Sequence, residues 1–344
     1  MAKMTYAEAI RDGLRVAMRA DESVFVYGIG VPDHKGAFGT TLGLEEEFGK
    51  KRCLDTPLAE AGMTGFGIGA ALAGLRPVHV HLRADFLLLA MDQLVNMAAS
   101  HHYVTTVPVP YVVRAVVGRG WGQGCHHSKS LGGMLSGVPG LKVVAPVTPE
   151  QAKGLLMAAV MGNNPTVILD HRWLYWAEGV VPEGLYRLPI GKDERVRQGQ
   201  DLTVVASSWM VVEALLAAKV LAGIGISVEV VDAVTLNPYN GDAAIQSVKK
   251  TGRCIVADND WLGGGWGAEA AALIGSRCFV ELKLPVVRVG WAKAHCPTER
   301  KLENKFYANA RDIVEMACLM FDVGVPVLRE EELFSHERRF KGPF

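Results

Sequence analysis

Short apolar runs rich in β-branched residues alternate with helix-period segments along almost the whole 344-residue chain. The runs SVFVYG (23–28), RPVHVHL (76–82), VPVPYVVRAVVG (107–118), LKVVAP (141–146) and PTVILD (165–170) read as strands, and all but RPVHVHL lack the polar alternation of a sheet with one wet face. Helical patterns lie between them at 5–19, 60–75, 85–101, after Ser128 and at 149–161. Strands buried on both faces and separated by helices specify a parallel sheet covered on each side, an α/β architecture. The rhythm lapses over 183–201 into charge, Gly and Pro, then restarts with DLTVVASS, ISVEVVDA, GRCIVADND and PVVRVG around helical stretches at 209–222, 241–250 and 267–276. The length exceeds what one ordinary core holds. Two doubly wound domains are expected, at 1–185 and 201–330, with a linker at 186–200 and a C-terminal tail at 331–344.

Composition narrows the function classes. Thirty-six basic and 36 acidic residues cancel, so no global field recruits nucleic acid or an anionic membrane. Six cysteines are scattered without a CxxC pair, which reads as reduced, mostly buried thiols and not a disulfide framework or zinc site. Glu8 and Asp12 interrupt the basic N-terminus and no apolar stretch follows, against a signal or transit peptide. The longest apolar run, Ala61 to Leu75, is short and Gly-rich for a membrane span. A cytoplasmic protein is expected.

That run begins DTPLAEAGMTG, and between Asp55 and Arg76 the one charged side chain is Glu60. In one reading Thr56 caps a helix starting at Pro57, and Glu60 gains about 0.3–1 kcal/mol from the helix dipole. In the other, apolar surroundings desolvate the carboxylate and make it a working acid or base. Gly62, Gly65, Gly67 and Gly69 favour the second, because such a helix is kept where another backbone or a ligand approaches closely. The loop GRGWGQGCHHSKS (118–130) ends in His126, His127 and Ser128, read either as surface residues and a helix cap or as a histidine delivered to a reaction centre. DNDWLGGGWGAEAA (258–271) lacks the GxGxxG order and reads as a tight strand-to-helix turn. LEEEFGKK (44–51) and LREEELF (328–334) read as solvated helix faces.

DTPLAEAGMTGFGIGAALAGLRPVHVHLRADFLLLAMDQLVN, then HHSKSL, VPGLKVVAPVTPEQAKGLL and NNPTVILD, resemble the β subunit of thiamine-diphosphate-dependent 2-oxo acid dehydrogenases, kin to transketolase. The likeness runs in order from about residue 4 to residue 320. It implies an N-terminal pyrimidine-binding domain and a smaller transketolase C-terminal-like domain. It implies that Glu60 bonds the cofactor's aminopyrimidine ring and favours its imino tautomer, with Leu58, Leu82 and Phe86 lining the pyrimidine pocket. It gives His127 a part in acyl transfer to a lipoyl group, and the main-chain carbonyls of Tyr111, Ala159, Val160, Gly162 and Asn164 a potassium ion.

Three departures stand out. GIGV (28–31) puts Ile29 and Gly30 where the family reads Gly-Glu-(Asp/Glu)-Val, removing acids credited with moving protons. Arg83 brings a charge into the segment leading to Phe86, and Asp258, Asn259 and Asp260 stand where relatives often carry Glu or His. The Gly-Asp-Gly motif that holds the diphosphate through a divalent metal is absent from the sequence. The resemblance therefore implies an α subunit carrying magnesium and the diphosphate half of the site, β–β self-association, and a lipoyl-bearing acyltransferase as a further partner. The expected function is oxidative decarboxylation of a 2-oxo acid. The alternatives are a split transketolase-like enzyme acting on sugar ketols or aldehydes, a non-catalytic docking subunit, and, weakest, a nucleotide-binding module.

Overall fold

In the computed structural model, which describes residues 1–118 and 122–329, the chain divides into two units. The first comprises Met1–Gly118 and Leu135–Ile190, the second Arg119–Met134 and Gly191–Phe344. The glycine loop with its two histidines thus belongs to the second unit, whereas a contiguous division near 185 puts it in the first.

Six parallel strands make the sheet of the first unit, in the order Lys142–Val144, Thr166–His171, Val112–Val117, Arg76–His81, Val24–Tyr27 and Cys53–Leu54. The four longer strands are buried along nearly their whole length, as their apolar composition requires. Helices Tyr6–Ala20 and Pro149–Val160 pack together on this unit, and each starts in a capping box, Thr5 with Glu8 and Thr148 with Gln151. Strands Ala2–Thr5 and Glu178–Val181 pair antiparallel.

The helical pattern read over 85–101 is not one helix. It breaks into Ala84–Leu87, a 3-10 turn at Leu88–Ala90, a π-helical stretch at Gln93–Ala99 and a last turn at His101–Thr105. Periodicity reports which residues face inward and is blind to such changes of pitch.

In the second unit the sheet order is Val287–Trp291, Cys254–Trp261, Leu202–Ala206, Val228–Asp232, Glu194–Arg197. The first four strands are parallel, and Glu194–Arg197 runs antiparallel at the edge. That edge strand lies within the stretch read as a linker, where its charge masked it. Helices Arg300–Phe306 and Ala310–Phe321, not anticipated from the sequence, complete the unit. All six cysteines are free, and five are buried. LREEELF extends past residue 329, and it and the tail 331–344 fall outside the described residues. No described helix is long and apolar enough to cross a membrane.

Candidate functional site

From Val24–Tyr27 the chain crosses to the edge strand Cys53–Leu54, then returns to Arg76–His81 on the opposite side of its starting strand. Where the strand order reverses in this way a crevice opens at the carboxyl ends of the strands, the place where α/β sheets bind ligands. A cleft of about 180 Å3 occupies this point, lined by Ile29, Thr56, Leu58, Glu60, Met63, His79, His81, Leu82 and Phe86 among others. The four residues that the resemblance ties to a pyrimidine ring, Leu58, Glu60, Leu82 and Phe86, share this one cleft. Its walls are otherwise mostly apolar and its size suits a single substituted ring.

Glu60 is the first residue of helix Glu60–Leu72. The expected cap at Thr56 with Pro57 as first helical residue is not formed: Ala59 stands at the cap, at φ −152° and ψ 64° and without a side-chain bond. An uncapped helix start leaves backbone N–H groups and the positive end of the dipole beside the carboxylate. Glu60 is half-buried, less desolvated than its apolar sequence context led us to expect. One wall is open, since Leu58 is 83% and Phe86 37% exposed. The helix's glycines divide by face. Gly67 lies against the Tyr27 hydroxyl and the Tyr111 ring, whereas nothing approaches Gly65 or Gly69 within 4 Å.

Beneath the cleft lies an aromatic floor that the sequence reading missed. Tyr27 stacks on His79 at 4.3 Å between ring centroids, and its hydroxyl donates to the Met63 carbonyl in the first turn of the helix (2.9 Å). Nδ1 of His79 is 2.8 Å from the Tyr111 hydroxyl and 3.2 Å from Nε2 of His81. Burial drives both imidazoles towards the neutral form, His81 down to about 4 and His79 well below its ordinary value, with His81 adding to the effect. The signal was present in RPVHVHL, where a period of two puts both histidines on one face of the strand.

The departures have structural consequences. Ile29 lines the cleft with a hydrocarbon, and Gly30 adopts φ +68°, a left-handed conformation that favours glycine, with its N–H donating to Asp55 (2.9 Å). Arg83 is buried, and its Nη1 donates to the Gly118 carbonyl at the end of strand Val112–Val117 (2.6 Å). The five carbonyls expected to bind potassium all accept hydrogen bonds from the protein. Arg76 Nη1 donates to Val160 (2.9 Å) and Gly162 (2.7 Å). Thr166 N donates to Tyr111, Gly162 N to Ala159, and the Thr166 hydroxyl to Asn164. The Arg76 guanidinium thus lies at two of the five carbonyls.

His127 follows a 3-10 turn, Gly124–His126, in the second unit and is half-buried. The helix expected after Ser128 starts at Gly132, as Gly132–Ser136, so Ser128, which is buried, lies too far ahead to cap it. Residues 119–121 of the glycine loop fall outside the described residues. The GGG turn joins strand Cys254–Trp261 to helix Trp266–Arg277, as read from the sequence.

Family models match both parts of the chain: the transketolase pyrimidine-binding domain over residues 2–176 and the transketolase C-terminal domain over 191–313. The chain is 37% identical to the pyruvate dehydrogenase E1 component subunit beta of Rickettsia bellii, over 91% of its own length and 97% of the relative's. It is 39% identical to the 2-oxoisovalerate dehydrogenase subunit beta of Bacillus subtilis, over 92% and 98%. Among solved structures, an inactive β4 tetramer of a split-gene transketolase superposes with a TM-score of 0.73 at 22% identity, covering 93% of this chain and 99% of that one.

Proposed function

The chain belongs to the family of β subunits of 2-oxo acid dehydrogenases, and from that premise we propose that its Glu60 cleft receives the aminopyrimidine end of thiamine diphosphate. The observation carrying this reading is one carboxylate at the mouth of a largely apolar cleft at the sheet's switch point. When bound, the cofactor supplies a ring that attacks the substrate ketone and takes up the electrons freed with carbon dioxide. Glu60 shares a proton with a pyrimidine nitrogen, the step that sets the tautomer. Leu58, Leu82 and Phe86 hold the ring and keep water from that proton, which strengthens the bond. His127 assists acyl transfer to a lipoyl group.

The cleft accommodates one end of the cofactor, and the sequence carries no Gly-Asp-Gly motif for the other. An α subunit therefore contributes the diphosphate and magnesium half, in an α2β2-type assembly with β–β contacts, and a lipoyl-bearing acyltransferase takes the product. Exposed Leu58, Phe66 and Leu72 on and beside helix Glu60–Leu72 are apolar surface of the kind such contacts cover. A potassium ion at the five carbonyls belongs to this proposal only in exchange for the Arg76 guanidinium.

The test is Glu60→Gln in the complex with the α subunit. Assembly should persist while deuterium exchange at the cofactor's thiazolium carbon collapses; unchanged exchange would refute the role. A split transketolase-like activity on ketols is the second reading, favoured by the loss of acids at Ile29 and Gly30. Decarboxylation of a 2-oxo acid with acylation of a lipoyl domain separates the two.

A further inference from the structure

Two buried carboxylates in the second unit lie two residues apart on one face of strand Cys254–Trp261. Asp258 accepts from the Ser207 hydroxyl (2.8 Å) and from the Gly267 N–H (2.7 Å), fixing the turn after GGG. Asp260 accepts from the Gly133 N–H (3.0 Å) and the Trp261 N–H (2.8 Å). Gly132 and Gly133 close the segment that carries His127.

The fit around this anchor is backbone on backbone. A Cβ on Gly133 would overlap the Gly264 carbonyl and stand 2.6 Å from Cα of Gly265. Between anchor and histidine, buried Leu131 is held at φ +63°, a conformation of the kind that persists only where its surroundings over-determine it. At the other end, Gly124 at φ +61° leaves 2.7 Å between a would-be Cβ and Cγ2 of Thr298. His127 thus sits in a short span pinned at both ends by the second unit, with a buried carboxyl group as the polar part of one pin.

We propose that Asp260 is a positioning residue for His127, holding the segment 122–134 through the backbone N–H group of Gly133. A backbone N–H bonded to a buried carboxyl group loses its partner at a cost if the segment moves, so an anchor of this kind sets where the segment stops. Asp258 builds the wall against which Gly133 packs. This inference rests on the acyl-transfer role given to His127 above.

Hydrogen exchange in the full-length chain and kinetics in the complex with its α subunit test it together. In Asp260→Ala, exchange protection over 124–134 should fall about tenfold or more, matching the loss of the anchoring bond. Acyl transfer should fall with it, mainly in kcat, while deuterium exchange at the thiazolium carbon, which depends on Glu60, stays at the wild-type rate. Asp260→Asn keeps one acceptor oxygen and should recover part of both the protection and the transfer rate, which also guards against an alanine variant that fails to fold. Unchanged protection in both variants, or full acyl transfer despite lost protection, overturns the proposal. His127→Gln identifies the other failure: if that variant transfers acyl groups at the full rate, the reading of His127 is wrong, and the catalytic part of the proposal falls with it whatever Asp260 does to exchange.

Discussion

Adding one methyl group at two positions of the same helix should have opposite effects. In Gly67→Ala the new Cβ would overlap the Tyr27 hydroxyl and stand 2.5 Å from Cε2 of Tyr111. Neither ring has room to retreat: Tyr27 is stacked on His79 and bonded to the Met63 carbonyl, and Tyr111 is fully buried against His79. Overpacking of such a site costs about 1–3 kcal/mol, and losing the Tyr27 bond adds about 1 kcal/mol. Against this, the gain in helix propensity from Gly to Ala is about 1 kcal/mol, so the net change is a loss of about 1–3 kcal/mol. In Gly65→Ala nothing lies within 4 Å of the new Cβ, so only the propensity gain of up to about 1 kcal/mol remains, and the isolated chain becomes more stable. Urea denaturation of the two variants followed by circular dichroism measures both. Equal destabilisation by the two substitutions, or a Gly67→Ala chain as stable as the wild type, would refute the division of this helix into an inner and an open face. If the open glycine face meets a second subunit, Gly65→Ala should also weaken assembly while strengthening the chain, which analytical ultracentrifugation of the complex reads directly.

Other outcomes follow from charge and burial. Burial, helped by Asp260, raises Asp258 from 3.8 to about 7, so the folded chain holds a proton that the unfolded chain releases, and stability declines as pH rises from about 4 to 7. Asp258→Asn can still accept from Gly267 and can donate to Ser207, so its gain in Tm should be larger at about pH 8 than at about pH 5; an equal gain at both would contradict the assignment. Nε and Nη2 of Arg114 both bond Oδ2 of Asp170 (2.8 and 2.6 Å) with each side chain 1% exposed, so Arg114→Met should cost about 3–5 kcal/mol in urea denaturation. Adding Asp170→Leu to that variant should recover much of the loss. With Arg76 at the carbonyls of Val160 and Gly162, replacing sodium by potassium should leave the wild-type Tm unchanged; a rise of several degrees would show the ion displacing the guanidinium.

The strands were legible because Val24–Tyr27 is apolar on both faces, as is Val112–Val117 apart from Arg114, whereas the two-residue strand Cys53–Leu54 is too short to register. Glu60 stood out because a lone carboxylate before an apolar helix is costly unless used. The π-helical stretch at Gln93–Ala99 and the strand Glu194–Arg197 did not register, the first because pitch does not alter which residues are apolar, the second because an edge strand tolerates charge. Thr56 carries a capping hydroxyl that its backbone never brings to a helix start.

The amino-acid order by itself determined the alternating architecture and the candidate acid, and its lack of a Gly-Asp-Gly motif is what the proposed α subunit rests on. Only the tertiary structure decided that His79 and His81 pave the cleft, that Arg76 takes carbonyls expected to hold an ion, and that Asp260 grips the segment bearing His127. The physical reason is range. Periodicity and propensity act between neighbours along the chain, whereas these bonds join residues between 32 and 127 positions apart only where packing closes the distance, apart from the pair of histidines, whose shared face was already written in the strand.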